Sequence, residues 1–184
     1  DIADEGDALP QTRVDDLAAY RADLMATAAG LAPSKRWAGV FERLVPVMAQ
    51  FALPVELLAD LLSAFEQDVV KQRYASQTEL LDYCRRSANP VGRLVLRIAD
   101  YDDARMDAYS DAICTALQLT NFWQDIKVDF DRGRVYMPDE ELRAQGAAIA
   151  DLAPGRVTPA WHRTLSAAAR RTRDLFAAGR PLCD

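Results

Sequence analysis

Histidine occurs once in this chain of 184 residues, and cysteine three times. A mechanism resting on histidine as general base has His162 as its sole candidate. That residue opens a late helix in the run PAWHRTL, where a surface or boundary role is the better reading. Cys84, Cys114 and Cys183 are scattered without metal-type spacing and read as reduced thiols of a cytosolic protein, Cys84 as a small core residue. Positive charge is in deficit, with 22 Lys and Arg against 28 Asp and Glu for a net charge of −6. That balance, with no dense basic patch interleaved by aromatics, argues against nucleic-acid binding. No apolar run approaches the roughly 20 residues that cross a bilayer. No Gly-rich phosphate loop appears, and Gly92, inside a helical run, reads as a point of close packing.

What is present is ordinary in amount: 50% hydrophobic and 27% charged residues, enough for one domain that buries roughly 70% of its unfolded surface. The hydrophobic period is near 3.6 rather than 2. It predicts helices over Arg13–Ala29, Ala38–Phe51, Val55–Val70, Glu79–Asp100, Met106–Phe130, Asp139–Gln145 and Pro159–Ala178. Pro46 and Pro90 are expected to kink or interrupt two of them. Thr78 and Asp139 are expected as caps, Gly133 as the stop of the acidic helix, and 146–158 as a surface loop. The expectation is an all-α, bundle-like fold with a single domain over residues 1–184. The chain begins at Asp1 without Met, inside a helical pattern, and is expected to be a fragment.

The run from Gln118 to Pro138, QLTNFWQDIKVDFDRGRVYMP, carries the most chemistry. Gln118, Asn121, Asp125 and Asp129 share one helical face by their spacing. Large apolar residues surround them: Leu117, Leu119, Phe122, Trp123, Ile126, Val128 and Phe130. Carboxylates in such company need a partner, and Mg²⁺ fits, because it takes one or two carboxylates and completes its shell with water and substrate phosphate. A solvated face with Lys127 and Arg132 as ion-pair partners is the plainer reading. The run then continues into Arg134 and Tyr136, a cation and a phenol suited to diphosphate oxygens. Asp1, Asp4 and Glu5 form a second acidic face in DIADEGD. Two such faces turned toward each other would form a box for several Mg²⁺ ions.

These segments resemble the squalene/phytoene synthase family, the head-to-head trans-isoprenyl diphosphate synthases. The second aspartate-rich motif of that family matches as Asn121-x-x-x-Asp125-x-x-x-Asp129 followed by Arg134-x-Tyr136. The first matches in part, with Asp1 and Asp4 as its last two acids and the leading Asp lying before residue 1. Tyr83-Cys84 through Ala88, Val91 and Gly92 matches a third segment, with Asn89-Pro90 standing where many members carry Gly and a variable residue. SANPVGRLVL and LQLTNFWQD are most similar to the bacterial hopanoid-pathway branch.

The resemblance implies an isoprenoid-synthase-type helical bundle around a central apolar cavity, truncated here at both ends. It implies Mg²⁺ held by Asp1, Asp4, Asn121, Asp125 and Asp129. It implies catalytic roles for Asp4, Asp125, Asp129 and Tyr83, and substrate contacts from Gln118, Asn121, Arg134, Tyr136 and Asn89. Tyr83 and Tyr136 also admit a half-buried core role, and Phe122 and Trp123 read as wall or core. The implied substrate is presqualene diphosphate, ionised and quenched by water to hydroxysqualene without NADPH. Gln118, Asn121 and Asn89 all stand as candidates to position that water. Alternatives are joining of two prenyl diphosphates to presqualene diphosphate, squalene or a phytoene-type product, and a non-catalytic helical subunit binding a prenyl lipid or partner. Peripheral contact with the inner membrane face and with pathway partner enzymes is expected for a lipid-soluble substrate.

Overall fold

Apolar residues recurring every three or four positions build helices here and almost nothing else. The computed structural model describes residue 2 and residues 8–153 and 157–183. Of the described residues 76% are helical, 3₁₀ turns included. The helices are α1 (Pro10–Ala28), α2 (Ala38–Gln50), α3 (Val55–Val70), α4 (Gln77–Ser87), α5 (Asn89–Ile98), α6 (Ala104–Gln124), α7 (Ile126–Asp131), α8 (Asp139–Gln145) and α9 (Pro159–Gly179). Short 3₁₀ turns cover Ile149–Leu152 and Arg180–Cys183. The first of these lies inside the expected surface loop.

The interruption expected at Pro90 is present: the run from Glu79 to Asp100 is two helices, and Pro90 lies in the first turn of α5, where its missing N–H costs nothing. Three other expectations change at the level of single residues. By contrast α2 runs through Pro46 without a break. The cap of α4 is Ser76, whose hydroxyl accepts from the Glu79 N–H, not Thr78. Asp139 begins α8 without capping it, since Pro138 holds the N-cap position.

The expected helix Met106–Phe130 divides at Asp125, but gently. The Asp125 N–H still donates to the Asn121 carbonyl at 2.9 Å, and the Asp129 N–H to the Asp125 carbonyl at 2.8 Å. Turn-by-turn stacking of the three motif residues therefore survives the break. Gly133 ends α7 as expected, at φ +80°. The Arg134 N–H reaches the Asp129 carbonyl at 2.8 Å and the Gly133 N–H the Phe130 carbonyl at 2.9 Å, the paired bonds of a Schellman stop.

Packing radiates from α6, which lies against α9, α5 and α4, while α1 lies on α3. The α5–α6 seam is close because Gly92 faces it. A Cβ there would lie 2.3 Å from Ser110 Oγ and 2.5 Å from Cys114 Sγ. From Gly92, the helical period turns Arg93 and Arg97 to one flank, where they pair with Asp111 and Asp107 of α6 at 2.5 and 2.7 Å. The same period turns Val91, Val95 and Ile98 to the other flank, and all three are exposed. Gly179 of α9 approaches α6 closely as well, and there one obstructing atom is backbone. A Cβ there would lie 2.7 Å from the Tyr109 carbonyl oxygen and 2.5 Å from Ile113 Cγ1. All three cysteines are unpaired, with Cys84 buried.

Alanine is the better helix former by about 1 kcal/mol, so glycine at both seams must answer to packing. At Gly92 the obstructing atoms are ends of side chains that can rotate; at Gly179 one is backbone. Gly179→Ala is expected to lower the urea midpoint by the equivalent of about 1–3 kcal/mol, and Gly92→Ala by less. The reverse order would contradict the α6–α9 contact.

Candidate active site

The site is assembled by a short piece of extended chain. Between α3 and α4, Gln72–Ala75 runs beside the segment that follows α7. The Val135 N–H donates to the Gln72 carbonyl at 2.9 Å, the Asp139 N–H to Tyr74 at 2.9 Å and the Glu140 N–H to Ala75 at 3.2 Å. Arg73 and Val135 form an isolated parallel bridge, and Arg73 pairs with Asp139 across the same junction. This pairing carries Tyr136 onto the ends of α3, α4 and α6.

The outcome is a nest of aromatic rings. Tyr136 stacks on Phe122 with centroids 3.8 Å apart and planes 7° apart. It lies 5.7 Å from Tyr74 and 6.2 Å from Tyr83, and Tyr83 is 5.7 Å from Tyr74. Tyr83 is 4% exposed and Tyr74 1%. Phe122 thus belongs to the wall of this nest. Trp123 instead donates its indole N–H to Thr172 of α9 at 3.0 Å.

Two carboxylates lie near the nest, and both act on Tyr136. Asp129 is half-buried, and burial, with the neighbouring Asp125 carboxylate adding to it, raises its pKa against the opposing pull of Arg134 and Arg132. Asp68 of α3 accepts a hydrogen bond from the Tyr83 hydroxyl at 2.8 Å. Burial raises the Tyr83 pKa far above the phenol range, and the Asp68 charge adds to the effect. Tyr136 is pushed up to about 12, by burial first and by Asp68 next, while a hydrogen bond to Arg134 works the other way. Arg134 thus joins the two halves: its backbone caps Asp129 and its side chain meets Tyr136.

The expected residues distribute as follows. Asn121 and Asp125 are exposed along the α6–α7 face, with Gln118 half-buried below them and Asp129, Arg134 and Tyr136 half-buried beyond. Tyr83 joins them through the ring nest. Asn89 does not: its amide oxygen accepts from Thr115 at 2.9 Å, and it lines a small pocket with Asp60, Arg85 and Arg93. Asp1 and Asp4 lie outside the described residues. His162 is exposed in the first turn of α9, in keeping with a surface role. Asp68, Gln67 and Tyr74 are the residues that sequence reasoning missed. Asp68 falls one turn after Ala64, which is fully buried, but that burial is seen only in the structure.

The donor set suits a hard divalent cation. Asp125 and Asp129 offer carboxylate oxygens one helical turn apart, and burial is the main cause of the upward shift at Asp129. Among the described residues no three acids, histidines or cysteines converge. Leu117 on α6 and Val91 and Val95 on α5 are apolar and 49–59% exposed. A separate groove of about 420 Å³ lies between α6 and α9, lined by Trp123, Leu165, Thr172 and Phe176 among others, and none of the expected site residues lines it.

The fold is an all-α bundle that sets Asn121, Asp125 and Asp129 along one helical face and brings Arg134 and Tyr136 beside a nest of aromatic rings. The chain belongs to the squalene/phytoene synthase family, whose model matches residues 1–184. It is 40% identical over 136 residues to hydroxysqualene synthase of Rhodopseudomonas palustris, covering 73% of this chain and 46% of that protein. It is 33% identical over 132 residues to phytoene synthase of Thermus thermophilus, covering 72% and 45%. The crystal structure of squalene synthase HpnC from Alicyclobacillus acidocaldarius superposes with a TM-score of 0.86 at 38% identity, covering 97% of this chain and 64% of that one. The chain spans about half the length of the curated relatives it matches. No helix among the described residues is long and apolar enough to cross a membrane.

Because the Asp129 pKa is raised in the fold, its charged form is the destabilising one, and above that pKa the carboxylate costs stability. Asp129→Asn keeps the shape and removes the charge. It is expected to raise the melting temperature of the metal-free chain by roughly 2 °C, read by thermal denaturation at pH 7. An unchanged or lower value would show that Asp129 carries no such burden.

Proposed function

We propose that the protein carrying this chain is a Mg²⁺-dependent isoprenoid synthase that converts presqualene diphosphate and water to hydroxysqualene and pyrophosphate. The carrying observation is the ladder of Asn121, Asp125 and Asp129 set against the aromatic nest. The likeness to hydroxysqualene synthases at 38–46% identity supports the particular reaction. Asp125, Asp129 and Asn121 hold the metal, with Asp1 and Asp4 as the second acidic set. When bound, Mg²⁺ neutralises the diphosphate and makes pyrophosphate a better leaving group. Arg134 contacts the diphosphate oxygens from the capped turn, where its backbone is already fixed, and Tyr136 stands beside it.

Departure of pyrophosphate leaves a carbocation. The rings of Phe122, Tyr83 and Tyr136 present π-faces that favour positive charge. The exposed apolar side chains of Leu117, Val91 and Val95 receive the prenyl chains and keep stray water away. Gln118 and Asn121 hold the single water that ends the reaction. Asn89, bonded to Thr115, takes no part in that step. The exposed apolar surface also favours transient contact with the membrane that dissolves the substrate.

A second reading within the family is synthesis of a C–C bond between two prenyl diphosphates, favoured by the likeness to phytoene synthases. The metal-binding face serves both. The full-length polypeptide is expected to make hydroxysqualene from presqualene diphosphate and Mg²⁺ without NADPH, measured by product chromatography. Asp125→Ala is expected to lower turnover about 10²-fold or more. Accumulation of presqualene diphosphate from farnesyl diphosphate, with no hydroxysqualene, would move the assignment to the C–C bond-forming reaction. Unchanged turnover in Asp125→Ala would sink the metal-binding role of the ladder.

A further inference from the structure

Asp68 is not used by the mechanism above, yet it is the carboxylate most closely tied to the aromatic nest. It stands two residues before the end of α3 and is half-buried. The Tyr83 hydroxyl donates to its Oδ2 at 2.8 Å. The surroundings hold that carboxylate's neighbours in place. Gln67 donates to the Tyr74 hydroxyl at 3.1 Å and accepts from Arg86 at 2.7 Å, and Arg86 is also bound to Ser63 and to Asp82. These bonds fasten α3 to α4 one residue away from Asp68, so the Asp68–Tyr83 pair is built on a rigid joint.

We infer that Asp68 is a positioning residue for the reaction proposed above: it holds the Tyr83 hydroxyl proton inward and so fixes a negative dipole end and a carboxylate charge beside the rings that face the carbocation. The inference rests on that proposed function. A phenol hydroxyl is a rotor, and without an anchor its dipole averages over several directions. With Asp68 as acceptor the proton points to α3 and the oxygen lone pairs point the other way. The proton remains on Tyr83, whose burial beside a carboxylate opposes ionisation. No bond is made or broken in this step. Tyr83 is nearly enclosed, so its influence on a cation is electrostatic, transmitted across Phe122 and Tyr136 through a medium of low dielectric constant where a fixed charge acts strongly. The same charge placed in water would do little.

This device differs from the acidic ladder in what it serves. The ladder acts on the departing anion through a metal; Asp68 acts on the cation that remains. Removing Asp68 therefore weakens the chemical step and leaves diphosphate binding alone.

The test is a double-mutant cycle of Asp68→Asn and Tyr83→Phe in the full-length polypeptide, read in two ways. Asparagine keeps the size and an acceptor oxygen but removes the charge. Under saturating presqualene diphosphate and Mg²⁺, Asp68→Asn is expected to lower kcat about tenfold or more while KM and inhibition by pyrophosphate stay at wild-type values. In the Tyr83→Phe background the same change is expected to cost less than it does alone, because part of the Asp68 effect acts through that hydroxyl. Wild-type kcat in Asp68→Asn, or losses that multiply in the double variant, would overturn the inference. A parallel rise in KM and pyrophosphate inhibition constant would place Asp68 in diphosphate binding and overturn it equally. The second reading is urea unfolding of the same four proteins, which needs no substrate. Non-additive midpoints are expected, and additive ones would show that the pair does not interact. If the wild type releases no pyrophosphate from any prenyl diphosphate, the proposed function fails, while the unfolding cycle still decides whether Asp68 anchors Tyr83.

Discussion

Three backbone hydrogen bonds between Gln72–Ala75 and Val135–Glu140 decide where the chemistry of this chain is done. Helices alone would leave the acidic face of α6 and α7 as a stripe of charge on a bundle. The extended pairing returns the chain after α7 to the α3–α4 junction and sets Tyr136 flat on Phe122. Everything that gives the acids a dry neighbour follows from that return. The Schellman stop at Gly133 is its precondition, since the left-handed residue turns Arg134 back onto Asp129 and aims the following strand at α3. Glu79 reinforces the same junction, taking the Ala75 N–H at 2.6 Å and pairing with Lys71.

Local signals were legible in the sequence, and junctions were not. The 3.6-residue period located α3 and α8 to the residue and α9 to within one, because each has an unambiguous boundary in Pro54, Pro138 or Pro159. It merged α4 with α5 and α6 with α7, since periodicity persists through a break that keeps its i to i−4 bonds, as Asp125 does. The choice of Thr78 over Ser76 as a cap reflects the same weakness: both are hydroxyl residues near the start of α4, and only the backbone geometry separates them.

The site was half legible for a related reason. Asn121, Asp125 and Asp129 belong to one helical run, so spacing alone aligns them. Tyr136 was legible from its place just past the acids and Tyr83 only from a resemblance, and their contact depends on an extended pairing of residues about sixty positions apart, which no periodicity reports. Asp68 was invisible because α3 reads as an ordinary amphipathic helix until Tyr83 is placed beside it. Asn89 shows the converse. It occupies a motif position, yet the break before α5 turns its amide oxygen to Thr115, so identity within a motif did not determine which way the group faces.

The arrangement of charge explains why the nest is aromatic rather than aliphatic. Two carboxylates lie near the rings, Asp129 in the acidic ladder and Asp68 on α3, and both raise the pKa of the Tyr136 phenol. An aliphatic core of the same volume would be as dry but would carry no quadrupole and no hydroxyls to orient. Rings can be packed as hydrocarbons in the resting protein and still offer negative faces once positive charge appears among them. Burial of Asp129 costs stability in the absence of a cation, whereas burial of Tyr83 against Asp68 is satisfied at once by a hydrogen bond. The second carboxylate is already spoken for, while the first is free to take a cation under the proposed function. On that proposal the asymmetry would separate a pole for the leaving anion from a pole for the cation left behind.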